Sequence, residues 1–283
     1  MNEQTLYKET KEIIEKHKFY IKKSYGQNFL IDPHVISKII DGAEIEENDL
    51  IIEIGPGLGT LTRALAKKCK KIICIEIDKT IIPILEDTLN GYNNVEIINQ
   101  DILKVDIKSL LAKNADYKNI KVVANLPYYI STNIIMTFLE LTPKIQSLTV
   151  MMQKEVASRL KALPKTKDYG SLTIALNYYG TPHLVANVPK NCFLPRPNVD
   201  STVLNLKIHK EWPYDIKPLD ESFMFKIIRA SFAYRRKTLV NCLADIGYKK
   251  DYTIDILSKL DINQKARGEE LSLLEYIKLS NII

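Results

Sequence analysis

Leu50-Ile51-Ile52-Glu53-Ile54-Gly55-Pro56-Gly57-Leu58-Gly59-Thr60-Leu61-Thr62 is the stretch on which the reading of the fold turns. A short apolar run is broken by three glycines and a proline, and helix-compatible residues follow. Such a run between turn signals reads as a buried strand, so the piece is strand, glycine loop and helix start. The glycines run G-x-G-x-G. A dinucleotide fingerprint runs G-x-G-x-x-G and sets its helix N-terminus against a pyrophosphate. Here the third glycine comes one residue early, and Glu53 precedes the first. The loop still lets backbone pass close to a ligand, because glycine has no Cβ.

Downstream the pattern alternates, as an α/β sheet requires. A helix is predicted from about Thr60 to Lys68, and a strand from Lys71 to Ile75 that ends in Glu76-Ile77-Asp78. An acid at that strand end, about 20 positions past the glycines, can take both ribose hydroxyls, and Glu76 is that residue. Asp78 reads as the N-cap of a helix over 79–89. Val95 to Ile98 is a third strand. Asp101 stands at its C-terminal end, where a carboxylate can accept from an adenine amino group.

The fourth strand leads into Val122-Val123-Ala124-Asn125-Leu126-Pro127-Tyr128-Tyr129. Pro127 cannot donate to a ladder and biases Leu126 towards extended backbone, so the strand stops by Leu126. Asn125 then sits at the strand's C-terminal mouth, where open α/β sheets bind ligands. Its side-chain carbonyl and the Leu126 backbone carbonyl are two acceptors beside Tyr128, a flat aromatic. Adenine N6 or cytosine N4 suits that set; a plain loop carrying Asn and Pro is the alternative. A helix over 132–141 and strands over 147–152, 171–179 and 183–188 complete a predicted seven-stranded sheet, with Gly180-Thr181-Pro182 as a turn.

The flanking segments are less specific. Thr5 to about Tyr20 reads as a solvated helix with a narrow apolar stripe. Asp32-Pro33 opens another, with Asp as cap and Pro at the first position. Gln27-Asn28 before it suit turn chemistry. The basic segment from Lys154 to Lys167 reads equally as an RNA groove or as solvated surface. Phe193, ahead of Pro195-Arg196-Pro197, could stack a flipped base or fill the core. A boundary is predicted near Trp212-Pro213, giving domains over 1–211 and 212–283.

Hydrophobic residues make up 46% of the 283 residues and charged residues 26%, as in ordinary globular proteins. Cys69, Cys74, Cys192 and Cys242 lack metal-like spacing and read as reduced thiols, so no metal is implied. No 18-residue apolar run or signal-peptide pattern is present, so neither a membrane span nor export is expected, and the cytoplasm is the expected compartment. The net charge is +6. From Ser222 to Lys250 there are seven basic residues (Lys226, Arg229, Arg235, Arg236, Lys237, Lys249, Lys250) and one acid, Asp245, so this helical segment alone carries 7 − 1 = +6. Charge gathered in this way is the footprint of phosphate contacts.

The glycine loop with Glu53 resembles that of the class I S-adenosylmethionine (AdoMet) methyltransferases. Six pieces taken together resemble the KsgA family of small-subunit (16S) ribosomal RNA adenine dimethyltransferases. They are Tyr25 to Leu30, Glu53 to Thr62, Glu76-Ile77-Asp78, Asn125 to Thr132, Pro195 to Ser201 and Arg235-Arg236-Lys237. They span almost the whole chain. The resemblance implies a Rossmann-like seven-stranded catalytic domain with a small C-terminal all-helical RNA-binding domain. It implies N6,N6-dimethylation of two adjacent adenosines in the 3′-terminal hairpin loop of 16S rRNA, within the 30S subunit, by a monomer.

It also implies AdoMet contacts at Asn28, Leu30, Gly55, Glu76, Asp101 and Asn125, with Gln27 and Gly57 in the same loops. By the same resemblance, Asn125, Leu126, Pro127 and Tyr128 are expected to form the catalytic group. Tyr128, Phe193, Arg229, Arg235, Arg236 and Lys237 are the RNA-facing candidates. The related Erm enzymes, which methylate 23S rRNA, share the cofactor motifs. Leu126, the doubled tyrosine and Arg235-Arg236-Lys237 favour the KsgA family. An RNA-binding ribosome-assembly factor with secondary methylation is a further alternative.

Overall fold

The computed structural model describes residues 3–127, 130–139, 145–160, 162–234 and 236–283. The strands are β1 (Phe29–Leu30), β2 (Leu50–Ile54), β3 (Lys71–Glu76), β4 (Val95–Asn99), β5 (Ile120–Asn125), β6 (Ser147–Gln153), β7 (Gly180–Val188), β8 (Phe193–Leu194) and β9 (Ser201–Ile208). Seven of them form one sheet in the order β4-β3-β2-β5-β6-β9-β7, and β1 pairs with β8 in a separate ribbon.

β2 pairs parallel with both β3 and β5, and β5 pairs parallel with β6. Parallel strands covered on both faces read as continuous apolar runs, and every residue of β2 is buried. Each fully buried Ile or Val side chain contributes roughly 1.5–3 kcal/mol. β9 runs antiparallel beside β6, with Ser201 opposite Gln153 and Lys207 opposite Ser147. The strand order reverses between β2 and β5, which makes a crevice at their C-terminal ends.

The helices of this half are α1 (Glu3–Lys16), α2 (Pro33–Ala43), α3 (Thr60–Ala66), α4 (Ile82–Thr88), α5 (Ile107–Lys113) and α6 (Ser131–Leu139). Asp32 caps α2, accepting from His34 N and Val35 N, as its Asp-Pro start predicts. α4 is shorter than the predicted 79–89 and begins after Ile81, with no side-chain cap. Asp78 is therefore not its N-cap. The carboxylate instead turns back on Thr80 and reaches the loop before β1.

Residues 171–179 are a helix and not a strand. After α7 (Lys154–Leu160), α8 (Ser171–Tyr179) starts from extended Gly170, whose N–H donates to Thr173 Oγ1. Nine mostly apolar residues do not separate strand from helix by periodicity. The seventh strand of the sheet is β9.

The chain divides into two compact units, 1–157 with 181–208, and 158–180 with 209–283. The division departs from the expected boundary at 211/212, because α8 packs with the C-terminal helices. The second unit adds α9 (Glu221–Phe232), α10 (Leu239–Ala244), α11 (Lys250–Lys259) and α12 (Leu273–Ile282), with an aromatic group between α8 and α9. Tyr178 meets Trp212 and Phe225 edge-on, and Tyr178 and Tyr179 both donate to Glu221.

Candidate active site

The crevice at the ends of β2, β3 and β5 holds about 1110 Å³, its open mouth included. Gln27, Asn28, Leu30, Gly55, Gly57, Glu76, Asp101 and Asn125 all line it, as do Leu126 and Pro127. These residues, up to 100 positions apart (Gln27 and Pro127), are thus brought to one cleft. The glycine loop forms its floor. Gly55 and Gly57 take φ of +66° and +57°, which L side chains rarely adopt. A Cβ on Gly57 would stand 3.1 Å from two ring carbons of Phe29, so the β1 segment closes directly on this loop.

Two buried acids face the cleft. Burial pushes the Glu76 carboxyl up to about 7, while the N–H groups of Asp78 and Gly57 pull it back. Its Oε1 accepts from Asp78 N at 2.8 Å. Glu53, at the end of β2, is likewise pushed up to about 7 by burial, with Glu76 nearby adding to the effect. Cys74 Sγ lies 3.7 Å from its Oε2. Asp101 caps the short turn 102–104 through Oδ1, which accepts from Leu103 N at 3.0 Å.

Asn125 ends β5 with its amide held at one end. Its Nδ2 donates to the Asn28 carbonyl at 3.1 Å, and Asn28 Nδ2 donates to the Gly26 carbonyl at 2.9 Å. The donor end of Asn125 is thus committed to the protein, and Oδ1 is its acceptor. Leu126 N donates to Met151 O, and Pro127 O accepts from Ile130 N. Tyr128 lies outside the described residues, so its stacking role has no geometry here; the same holds for Arg235.

Phe193 does not reach the cleft. It pairs with Leu30 in the β1–β8 ribbon and is only 3% exposed, packed into the core. The sequence left stacking and core roles open for it, and packing assigns the core. Conversely, Ile77 and Ile102 line the cleft and were not singled out from sequence. Each directly follows a strand-end acid, Glu76 or Asp101. Ile77 is 44% exposed, an unusual state for isoleucine beside a buried strand.

In the second unit Arg229 and Arg236 are exposed. Lys237 is exposed as well, but its Nζ pairs with Asp245 at 2.9 Å and lies over the Tyr234 ring. Bonding to Asp245 raises its pKa. The segment's one acid is therefore paired, and the +6 excess sits on the other basic residues. Among the described residues no cluster of His, Cys, Asp and Glu could hold a metal, and no helix is long and apolar enough to cross a membrane.

The residues fit AdoMet on the structure's own terms. The glycine turn lines the cleft, and a Cβ on Gly55 would meet only Asn125 O, at 3.9 Å, so backbone is open to a small zwitterion there. Glu76 offers a buried acceptor for a diol, and Ile77 and Ile102 offer apolar surface beside Asp101 for an amino-bearing planar ring.

The family profile described as "Ribosomal RNA adenine dimethylase" matches residues 18–283. A protein of Clostridioides difficile (strain 630) named "Ribosomal RNA small subunit methyltransferase A" is 50% identical over 275 residues, covering 97% of this chain and 94% of its own. A protein of the same name from Lachnoclostridium phytofermentans is 50% identical over 280 residues, covering 98% and 96%. Among solved structures, a dimethyladenosine transferase from Plasmodium falciparum superposes with a TM-score of 0.73 at 28% identity, covering 89% of this chain and 95% of its own. The 23S rRNA methyltransferase ErmE superposes at 0.65 with 25% identity, covering 89% and 98%.

Proposed function

The chain belongs to the ribosomal RNA adenine dimethylase family, and from that premise we propose that it methylates N6 of two adjacent adenosines in the 3′-terminal hairpin loop of 16S rRNA, giving N6,N6-dimethyladenosine. The donor is AdoMet. The observation that carries the reading is Asn125, whose amide is held by Asn28 so that Oδ1 remains as an acceptor at the cleft.

An adenine inside a stacked hairpin cannot present N6 to a cleft, so the base is extruded into it. Tyr128 then stacks it, at roughly 1–3 kcal/mol per base. Asn125 Oδ1 and the Leu126 carbonyl accept from the amino group, which turns the nitrogen lone pair out of conjugation and towards the methyl donor. Bound AdoMet supplies an electrophilic methyl group on a sulfonium. Glu76 takes the ribose hydroxyls, and Asp101 accepts from the cofactor's own adenine amino group. Orientation of this kind supplies roughly 7–11 kcal/mol of barrier reduction. A strong base is unnecessary, because the amine becomes acidic once methylated.

The second unit serves as the RNA-binding domain, with Arg229, Arg235, Arg236 and Lys237 on phosphates. The substrate is the 30S particle, the enzyme acts as a monomer, and the cytoplasm is its compartment. The test is incubation with labelled AdoMet and under-methylated 30S particles, followed by mapping of the modified nucleotides. Label at the two hairpin adenosines is expected. Label confined to 23S rRNA, or none, would overturn the assignment. Affinity for the RNA should fall steeply with salt, since phosphate contacts release counterions.

A further inference from the structure

Asp78 is almost completely buried, yet four groups donate to its carboxylate. Oδ1 accepts from Lys22 Nζ at 2.7 Å, from Thr80 N at 3.0 Å and from Thr80 Oγ1 at 2.7 Å. Oδ2 accepts from Gln27 Nε2 at 2.8 Å. Gln27 is held at its other end too, because Oε1 accepts from Lys22 N at 2.7 Å. Asp78 N in turn donates to Glu76. The hydrogen bonds form a continuous path from Glu76 through Asp78 to Gln27 and the turn it closes. One residue further on, the Asn28 carbonyl accepts from Asn125.

The segment has a second anchor, since Phe19 meets Phe29 at 6.2 Å between ring centroids. Burial alone would raise the Asp78 pKa, but Lys22, Thr80 and Gln27 more than offset it and the net shift is downward. The carboxylate is therefore ionised, and charge-assisted bonds of this kind are the strong ones.

We propose that Asp78 is a positioning residue for methyl transfer: its carboxylate clips the 22–28 loop over the cofactor cleft, and so sets the Asn125 amide through the Asn28 carbonyl. Asp78 touches neither reacting group. It ties the strand end that carries Glu76 to the loop that orients Asn125, so cofactor binding and adenine orientation share one anchor. The inference rests on the methyltransferase reading above for its consequence in catalysis, but the clip itself is a property of the ligand-free protein.

The test is Asp78→Asn. It preserves shape but places an amide donor against Gln27 Nε2. Three readouts apply: amide hydrogen exchange over 22–28 without ligand, AdoMet Kd without RNA, and kcat. Exchange in the loop should quicken and Kd should rise, each at least about tenfold, the fold-change expected from losing one charge-assisted bond; kcat should fall as well. Asp78→Asn/Gln27→Glu exchanges donor and acceptor across the same bond and should bring loop exchange back to within about threefold of the parent. Gln27→Leu breaks the bond from the loop side, should match the single variant, and keeps the test available if Asp78→Asn fails to fold. Asp106→Asn alters a comparable cap on α5, remote from the loop, and should change none of the three.

Unchanged exchange and Kd in folded Asp78→Asn, or in Gln27→Leu, would overturn the clip. Equal impairment of the single and exchanged double variants would also overturn it, since Asp78 would then serve only its own turn. Parent protein that binds no AdoMet would defeat the methyltransferase reading instead, and loop exchange would still decide the clip.

Discussion

Buried strand-end carboxylates are treated differently at Asp49 than at Glu53 and Glu76. At the N-terminal end, Asp49 is fully buried and pairs with Lys121 Nζ at 2.7 Å. At the C-terminal end, Glu53 and Glu76 are nearly as buried, and among the described residues no cation pairs with either. Desolvation therefore raises both to about 7. Taking a charge out of water is costly unless a partner compensates it. The difference shows which end is finished by folding and which keeps capacity for a ligand. Asp49 has its cation already, whereas Glu76 has, among the described residues, only backbone N–H donors; in the proposed reading a ligand's hydroxyls would add to them.

The comparison can be broken from either side. Lys121→Met removes the cation and leaves Asp49 buried alone, which should cost about 3–5 kcal/mol in urea unfolding. AdoMet affinity of the folded fraction should not change; a loss below about 1 kcal/mol would mean that water already screens the pair. At the other end, Asn125→Ala should lower kcat by about 10²–10³-fold, as loss of one preorganised hydrogen-bonding group does. Unfolding free energy should hold and AdoMet Kd should change far less than kcat, and turnover like the parent's would remove Asn125 from the mechanism. Glu76→Gln should weaken AdoMet about tenfold or more, because a charged acceptor for the ribose is lost. Calorimetry on the RNA-free protein reads this directly.

The smallest effect is the sharpest in sign. Glu53 and Glu76 have folded values near 7, above the ordinary 4.5. The folded protein therefore holds more protons than the unfolded chain between these values. Stability of the ligand-free protein should be highest below about 4.5 as far as these two groups decide it, and should fall as pH rises through about 7. Glu76→Gln should flatten that fall while weakening the ligand. AdoMet affinity should move the other way and increase through the same window, because ribose hydroxyls donate to the ionised form. A parallel decline of both quantities would separate Glu76 from the ribose.

Much of this was legible in the sequence. The glycine spacing after an apolar run gave strand, turn and helix start, since glycine alone takes positive φ without strain at Gly55 and Gly57. Strand-end acids and Asn125 were readable as well, because chain order alone puts strand termini on one edge of a parallel sheet. Residues 171–179 were not: nine mostly apolar residues suit a strand or a helix, and burial among the aromatics of the second unit selected the helix. Asp78 was misread as a cap for a related reason. A local rule assigns an acid before a helix to that helix, but two of its partners, Lys22 and Gln27, stand 56 and 51 residues earlier.

Local periodicity, turn chemistry and residue type by themselves determined the α/β class, the cleft-forming ends and most of the groups in the cleft. Tertiary structure alone decided that Phe193 belongs to the core, that the Asn125 amide donates to the Asn28 carbonyl, and that the buried acids Asp49 and Asp78 are paired while Glu53 and Glu76 are not. Those outcomes depend on which distant donor or apolar surface arrives beside a side chain, and on how much water leaves with it. Neither quantity is a property of a short segment of chain.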